Sequence, residues 1–161
     1  MASARDIALA VKAKRHGSNY SLRIVLEARR AGIPISLGFA LIEQETGFRN
    51  VFGSDPTIYR GAGRVTKRKY LAYKRARGKT RMQGVGPAQL TWWEFQDRAD
   101  RLGGCWVPRH NIRVGFEVLA AHIERHGRTM GIARYNGSGD AADLYTKQVL
   151  WKMRRWHERL T

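Results

Sequence analysis

The segment Ile33–Phe48, IPISLGFALIEQETGF, is apolar through most of its length, runs into two glutamates and stops at Gly47. On a 3.6-residue wheel Leu37, Leu41 and Phe48 fall within one narrow arc with Ala40 beside it. Phe39 and Ile42 make much of the opposite side apolar as well, which predicts a buried helix. Glu45 lies about one residue step from the Leu37/Leu41 stripe, whereas Glu43 points well away from it. A partly desolvated carboxyl at a helix C-terminus, where the dipole disfavours negative charge, holds its proton to higher pH. That is the profile of a general acid. The competing reading is a solvated helix-end residue paired with Arg49.

The chain of 161 residues is 43% hydrophobic and has no low-complexity tract, which predicts a single domain over residues 1–161 with its own core and no need of a second one. Cys105 is the single cysteine, so no internal disulfide is available. The N-terminus, MASARDIALAVKAKRHG, carries charges inside its short apolar run, and no window is apolar enough for a membrane span. The expectation is synthesis in the cytoplasm without a signal peptide. Thirty Lys and Arg against thirteen Asp and Glu give a net charge of +17. Such a surplus predicts attraction to a polyanion: nucleic acid, anionic lipid or the bacterial wall.

Ser3 with Asp6 forms a capping box for a first helix, on which Ile7 and Val11 share a face, ending at Gly17. A second helix from about Asn19 to Ala31 is predicted to bury Leu22, Val25 and Leu26, with Gly32 and Pro34 breaking it. Asn50, Gly53, Ser54, Asp55 and Pro56 have loop chemistry. No acid stands between Asp55 and Glu94, while Arg60, Arg64, Lys67, Arg68, Lys69, Lys74, Arg75, Arg77, Lys79 and Arg81 are basic. Thr66 and Gly78 bracket a short basic helix within that run. Thr91 with Glu94 reads as another capping box, and Asn111 as the cap of a helix closed by Gly127. After a Tyr135-Asn136-Gly137 turn, Asp140 opens a last helix with Tyr145, Val149, Met153, Trp156 and Leu160 in register. The fold class is α+β, predominantly α-helical, with at most a small hairpin or flap between Val51 and about Val65.

Five short motifs occur in order: Glu45-Thr46 at a helix end, Gly86-Pro87-Ala88-Gln89-Leu90, Asn111-Ile112 with Gly115, Ala133-Arg134-Tyr135-Asn136-Gly137, and Tyr145 with Val149. In this order they resemble the lysozyme-like superfamily, most closely the soluble lytic transglycosylase and goose-type lysozyme branch in the form phages use as endolysins. The resemblance covers about residues 36 to 150. It implies a lysozyme-like fold and cleavage of the β-1,4 bond between N-acetylmuramic acid and N-acetylglucosamine in peptidoglycan, by hydrolysis or by internal attack that leaves 1,6-anhydro-muramic ends. It makes Glu45 the proton donor, with Tyr135 hydrogen-bonding near it. Thr46, Gln89 and Asn136 become substrate-binding residues, although an Asn-Gly pair is also a turn signal in its own right. Two departures stand out: Ala88 replaces a methionine usual in the family, and Thr46 replaces a serine but keeps the hydroxyl.

An inverting hydrolase needs a second carboxylate to activate water. Asp55 is the candidate, and an Asp before Pro is equally a turn initiator. His122 and His126 have i, i+4 spacing but lack a third ligand, so neither metal nor cofactor is expected. One of Trp92 and Trp93 must face away from its helix's buried side and could stack on sugar. The partners implied are peptidoglycan strands, anionic wall polymers met by the basic face, and nucleic acid only non-specifically. The chain is read as a monomer that reaches the wall after release from the host cytoplasm. A module that merely binds nucleic acid is the contrasting reading, which leaves Glu45 and the ordered motifs without a role.

Overall fold

The computed structural model describes residues 1–53, 63–79 and 82–161. They form eight helices in the order α1 Ala4–Arg15, α2 Ser21–Ala31, α3 Ile35–Thr46, α4 Lys67–Ala76, α5 Trp93–Arg101, α6 Pro108–His126, α7 Arg128–Asn136 and α8 Asp140–Leu160. The described residues are thus predominantly helical, with isolated antiparallel bridges that pair Val51 with Arg64, Phe52 with Val85 and Val85 with Leu90.

α3 is the buried helix its sequence predicts. Leu37, Phe39, Ala40, Leu41 and Ile42 have no solvent exposure, because α2 and α8 both pack along the helix and the Phe116 ring of α6 reaches it at Gly38. Gly38 makes room for α2 and for that ring, since a Cβ there would stand 3.0 Å from the Phe116 ring and 3.3 Å from Ala28 Cβ. On the α8 side Trp156 stacks on Phe39 with ring centroids 4.8 Å apart, and Phe48 meets it edge-on at 5.7 Å. Gly47 ends α3 in the left-handed conformation at φ 58°, its N–H returning to the Glu43 carbonyl. Glycine takes that backbone without the strain a Cβ brings.

Several local expectations shift. The first helix keeps its Ser3–Asp6 capping box, but its buried face is Asp6, Ala10 and Ala13, while Ile7 and Val11 are half exposed. Leu22 is likewise exposed. The carboxylate of Asp6 turns inward to pair with Arg29 at 2.6 Å, and that contact decides the face that apolar periodicity leaves open. Thr91 does not cap α5: its hydroxyl donates to the Gln89 carbonyl, and Trp92 occupies the cap position. The Tyr135-Asn136-Gly137 turn is the end of α7, with Gly137 as its cap. α4 starts at its predicted cap, Thr66, whose hydroxyl accepts from Lys69 N–H at 3.3 Å.

The basic run is not uniformly free. Lys74 reaches Asp100 at 2.5 Å and Asp97 at 3.3 Å, and Arg77 reaches Asp97 at 2.7 Å. Tyr70 donates to Asp100 and Tyr73 to the Gln96 amide oxygen, at 2.9 and 3.1 Å. α4 is therefore fastened to α5 by one of its faces, and Lys67, Arg68 and Arg75 are left on the exposed one.

Candidate active site

The cleft is built around one turn, Val85–Leu90. Val85 and Leu90 exchange both backbone hydrogen bonds, at 3.1 and 3.0 Å. Asn111, fully buried, accepts from Ala88 N–H at 2.9 Å and donates to the Val85 carbonyl at 2.7 Å. It is not a helix cap: α6 starts at Pro108, and Asn111 reaches out of the first turn of that helix to hold the Val85–Leu90 turn. Gly86, at φ 79°, passes over Asn111 so closely that a Cβ would lie 2.3 Å from its amide nitrogen. One helical turn beyond Asn111, Gly115 makes room in the same way; a Cβ there would meet Ala88 Cβ at 2.5 Å and the Tyr135 hydroxyl at 3.0 Å. The spacing of Asn111 and Gly115 thus has a packing cause that the sequence motif alone does not state.

Glu45, at the end of α3, is half-buried beside this turn and lines a cleft of about 280 Å³ with Gly53, Gln83, Gln89, Tyr135 and Asn136. An adjoining cavity of about 190 Å³ shares Met82, Gln89, Thr91, Tyr135 and Asn136 with it and continues to Trp92, Phe95 and His122. The Tyr145 hydroxyl, from α8, donates to Glu45 Oε1. Burial pushes the Glu45 carboxyl up to about 7, and the hydrogen bond from Tyr145 pulls the other way. Near neutral pH the group therefore spends a large part of its time protonated, as a proton donor must. Arg49, offered as a partner by the competing reading, instead sends its Nε to the Thr46 carbonyl at 2.8 Å.

The other candidates separate. Tyr135 lines the cleft, but its hydroxyl donates to the Ala88 carbonyl at 2.6 Å rather than to Glu45. The tyrosine that meets Glu45 is Tyr145, which its sequence register marks only as a core position. Thr46 is buried and donates to the Pro87 carbonyl at 3.0 Å, which ties α3 to the turn and turns its hydroxyl away from any ligand. Gln89 sits at φ 50° and spends both amide hydrogens on the Val51 and Gly86 carbonyls, at 3.0 and 2.9 Å. What it can offer a ligand is the acceptor Oε1. Asn136 is exposed on the cleft wall. Ala88 is wholly buried against Gly115, and Met82 contributes a methionine to the cleft from another part of the chain. Trp92 is the outward-facing tryptophan of its pair, 61% exposed beside the second cavity. Asp55 lies outside the described residues.

His122 and His126 face each other with ring centroids 6.3 Å apart, and among the described residues no group of three or more His, Cys, Asp or Glu is placed to hold a metal ion. No described helix is long and apolar enough to cross a membrane. No protein-family model, curated protein or solved structure matches the chain.

Proposed function

We propose that the chain is a peptidoglycan-cleaving glycosidase of lysozyme-like fold, with Glu45 as the general acid. The observation that carries this reading is the state of one carboxyl: half-buried, raised to about 7, oriented by Tyr145 and open to a cleft lined with amide groups. A proton held there is delivered to the glycosidic oxygen as the bond between N-acetylmuramic acid and N-acetylglucosamine breaks. The Gln89 Oε1 acceptor and the Asn136 amide suit the acetamido and hydroxyl groups of such sugars, and Trp92 offers a ring face for a further unit of the strand. The ordered motifs support the same assignment, as does the net charge of +17 for an anionic wall reached after release from the host cell.

Two chemistries can complete the step. Hydrolysis with inversion requires a second carboxylate roughly 6.5–9.5 Å from the acid, holding a water, and Asp55 is the residue assigned to it. Internal attack by the muramic 6-hydroxyl requires none. Among the described residues lining the cleft Glu45 is the only carboxylate, which favours keeping this lytic transglycosylase route as the second reading. Mass spectrometry of products from purified wall separates them: reducing muramic ends that disappear in Asp55→Asn mark hydrolysis, and anhydro-muramic ends indifferent to Asp55→Asn mark internal attack. Clearing of a peptidoglycan suspension by the wild type but not by Glu45→Gln tests the glycosidase assignment. A protein that only binds nucleic acid clears nothing.

A further inference from the structure

A third cavity lies away from the cleft, between the start of α3, the start of α7 and the outer side of α8. At about 590 Å³ it is larger than either cavity beside Glu45. Leu150 and Met153 form its floor, and Arg128, Lys147 and Arg154 stand around it. No hydrogen bond or ion pair among the described residues engages those three cations. Round the helix from Lys147, by about 40° and 60° at 100° per residue, come Trp151 and Leu144. Both project into solvent, 50% and 59% exposed. The Arg155 guanidinium stacks over the Trp151 ring at 4.3 Å. Between Asp143 and Glu158 the helix has no acidic residue. Asp140 and Asp143 are confined to its first turn, where they face the helix dipole, and Glu158 closes the far end of the groove.

An apolar groove, an exposed tryptophan and leucine, and unpaired cations on one continuous arc is a combination that a purely polar polyanion does not use. Phosphate groups alone would be served by the cations and would leave Leu144, Trp151 and the groove floor in water. A bilayer interface uses all of it: apolar groups enter the acyl boundary, the indole sits at headgroup depth, and the long basic side chains extend their charges to lipid phosphates. We propose that this face of α8 binds the surface of a bilayer containing anionic phospholipid, peripherally and with the helix lying in the plane of the membrane. Trp151 lies about 120° round α8 from Tyr145, so the protein can sit on lipid with its cleft still open. The inference does not depend on the glycosidase reading of Glu45.

The test is co-sedimentation of the full chain with vesicles of phosphatidylcholine alone and of phosphatidylcholine mixed with phosphatidylglycerol. Two variants address the face, Leu144→Ser/Trp151→Ser and Lys147→Gln/Arg154→Gln; the first changes only half-exposed side chains, and circular dichroism checks that both remain folded. A third, Lys67→Gln/Arg68→Gln/Arg75→Gln, lowers the charge elsewhere. Binding to the mixed vesicles should exceed binding to the neutral ones. It should weaken by about tenfold or more in each α8 variant, through lost apolar burial in one and lost charge in the other, and by less than about twofold in the α4 variant. Trp151→Phe should also lose most of the fluorescence quenching that brominated lipid produces in the wild type. Equal affinity for neutral and mixed vesicles, or no binding to either, overturns the proposal. So does a loss in the α4 variant as large as in the α8 variants, which would mean net charge alone was responsible. A fall in polyphosphate or duplex DNA affinity equal to the fall in vesicle affinity, in Leu144→Ser/Trp151→Ser, would make the face a polyanion site instead.

Discussion

Two carboxylates stand two residues apart near the end of α3, and α8 meets each with an aromatic donor: Tyr145 O–H on Glu45, and Trp156 Nε1–H on Glu43 at 2.6 Å. The hydrogen bonds are alike in kind, so they do not explain different roles. What separates the two is what lies beyond them. Trp156 is wholly buried and stacked on Phe39, which makes the Glu43 contact a clasp between two helices. Glu45 faces the cleft beside the Val85–Leu90 turn, where burial raises it to about 7. A hydrogen bond from the same neighbouring helix thus locks one carboxylate into packing and leaves the other facing the cleft with its proton held to about 7.

The sharpest way to break this comparison is to neutralise each member. Glu45→Gln should cut wall cleavage by about 10² to 10⁴-fold, the usual contribution of general acid catalysis, with the fold kept. Glu43→Gln should leave turnover close to wild type in the same turbidity assay. Equal losses in the two would remove the distinction between clasp and acid.

The pH dependence follows from the same carboxyl. In the role proposed for it Glu45 gives up a proton, so activity should fall as pH rises through about 7. For stability, its folded value lies above the ordinary 4.5. The stabilisation is therefore fully present below about 4.5 and is lost as pH rises through about 7. The loss is on the order of 3 kcal/mol. Glu45→Gln should abolish this dependence and be more stable than wild type in alkaline urea unfolding, a gain in stability obtained by discarding the acid.

The two tyrosines sharpen it further. Tyr135→Phe leaves the buried Ala88 carbonyl without its donor and should cost about 1–3 kcal/mol in urea unfolding, with the alkaline limb of activity unmoved. Tyr145→Phe removes the bond that favours the ionised carboxylate, so the alkaline limb should move upward. The smallest effects concern charge. Arg77→Gln breaks the bond to the part-exposed Asp97 and should cost about 0.5–1 kcal/mol, while Arg68→Gln should stay within about 0.5 kcal/mol. Wall clearing should weaken with added salt through the exposed residues of α4, because screening acts on solvent-facing charge.

Glu45 was legible as the distinctive glutamate because angle and apolar neighbours are properties of one helix, and α3 buries the residues its wheel marks. The same kind of local information marked the Thr66 start of α4 and the opening of α8 at Asp140. Tyr145 could not be read as the partner of Glu45, since a hydrogen bond across one hundred residues of chain leaves no trace in periodicity. Nor could Asn111, whose place near a helix start reads as a cap until the Val85–Leu90 turn is seen folded over it. The basic run read as one charged face, and only the arrival of Asp97 and Asp100 divided it into paired and exposed groups.

By itself, then, the sequence determined the helical class, the buried α3 and the different angles at which Glu45 and Glu43 leave its apolar stripe, because backbone hydrogen bonding and the hydrophobic effect act on neighbours three and four residues apart. Only the tertiary structure decided which hydroxyl touches the acid, that Thr46 holds the turn rather than a ligand, that Gln89 keeps one acceptor to offer, and which cations stay unpaired. Each of these depends on a donor and an acceptor brought within about 3 Å by packing between distant elements, a distance that residue spacing along the chain does not encode.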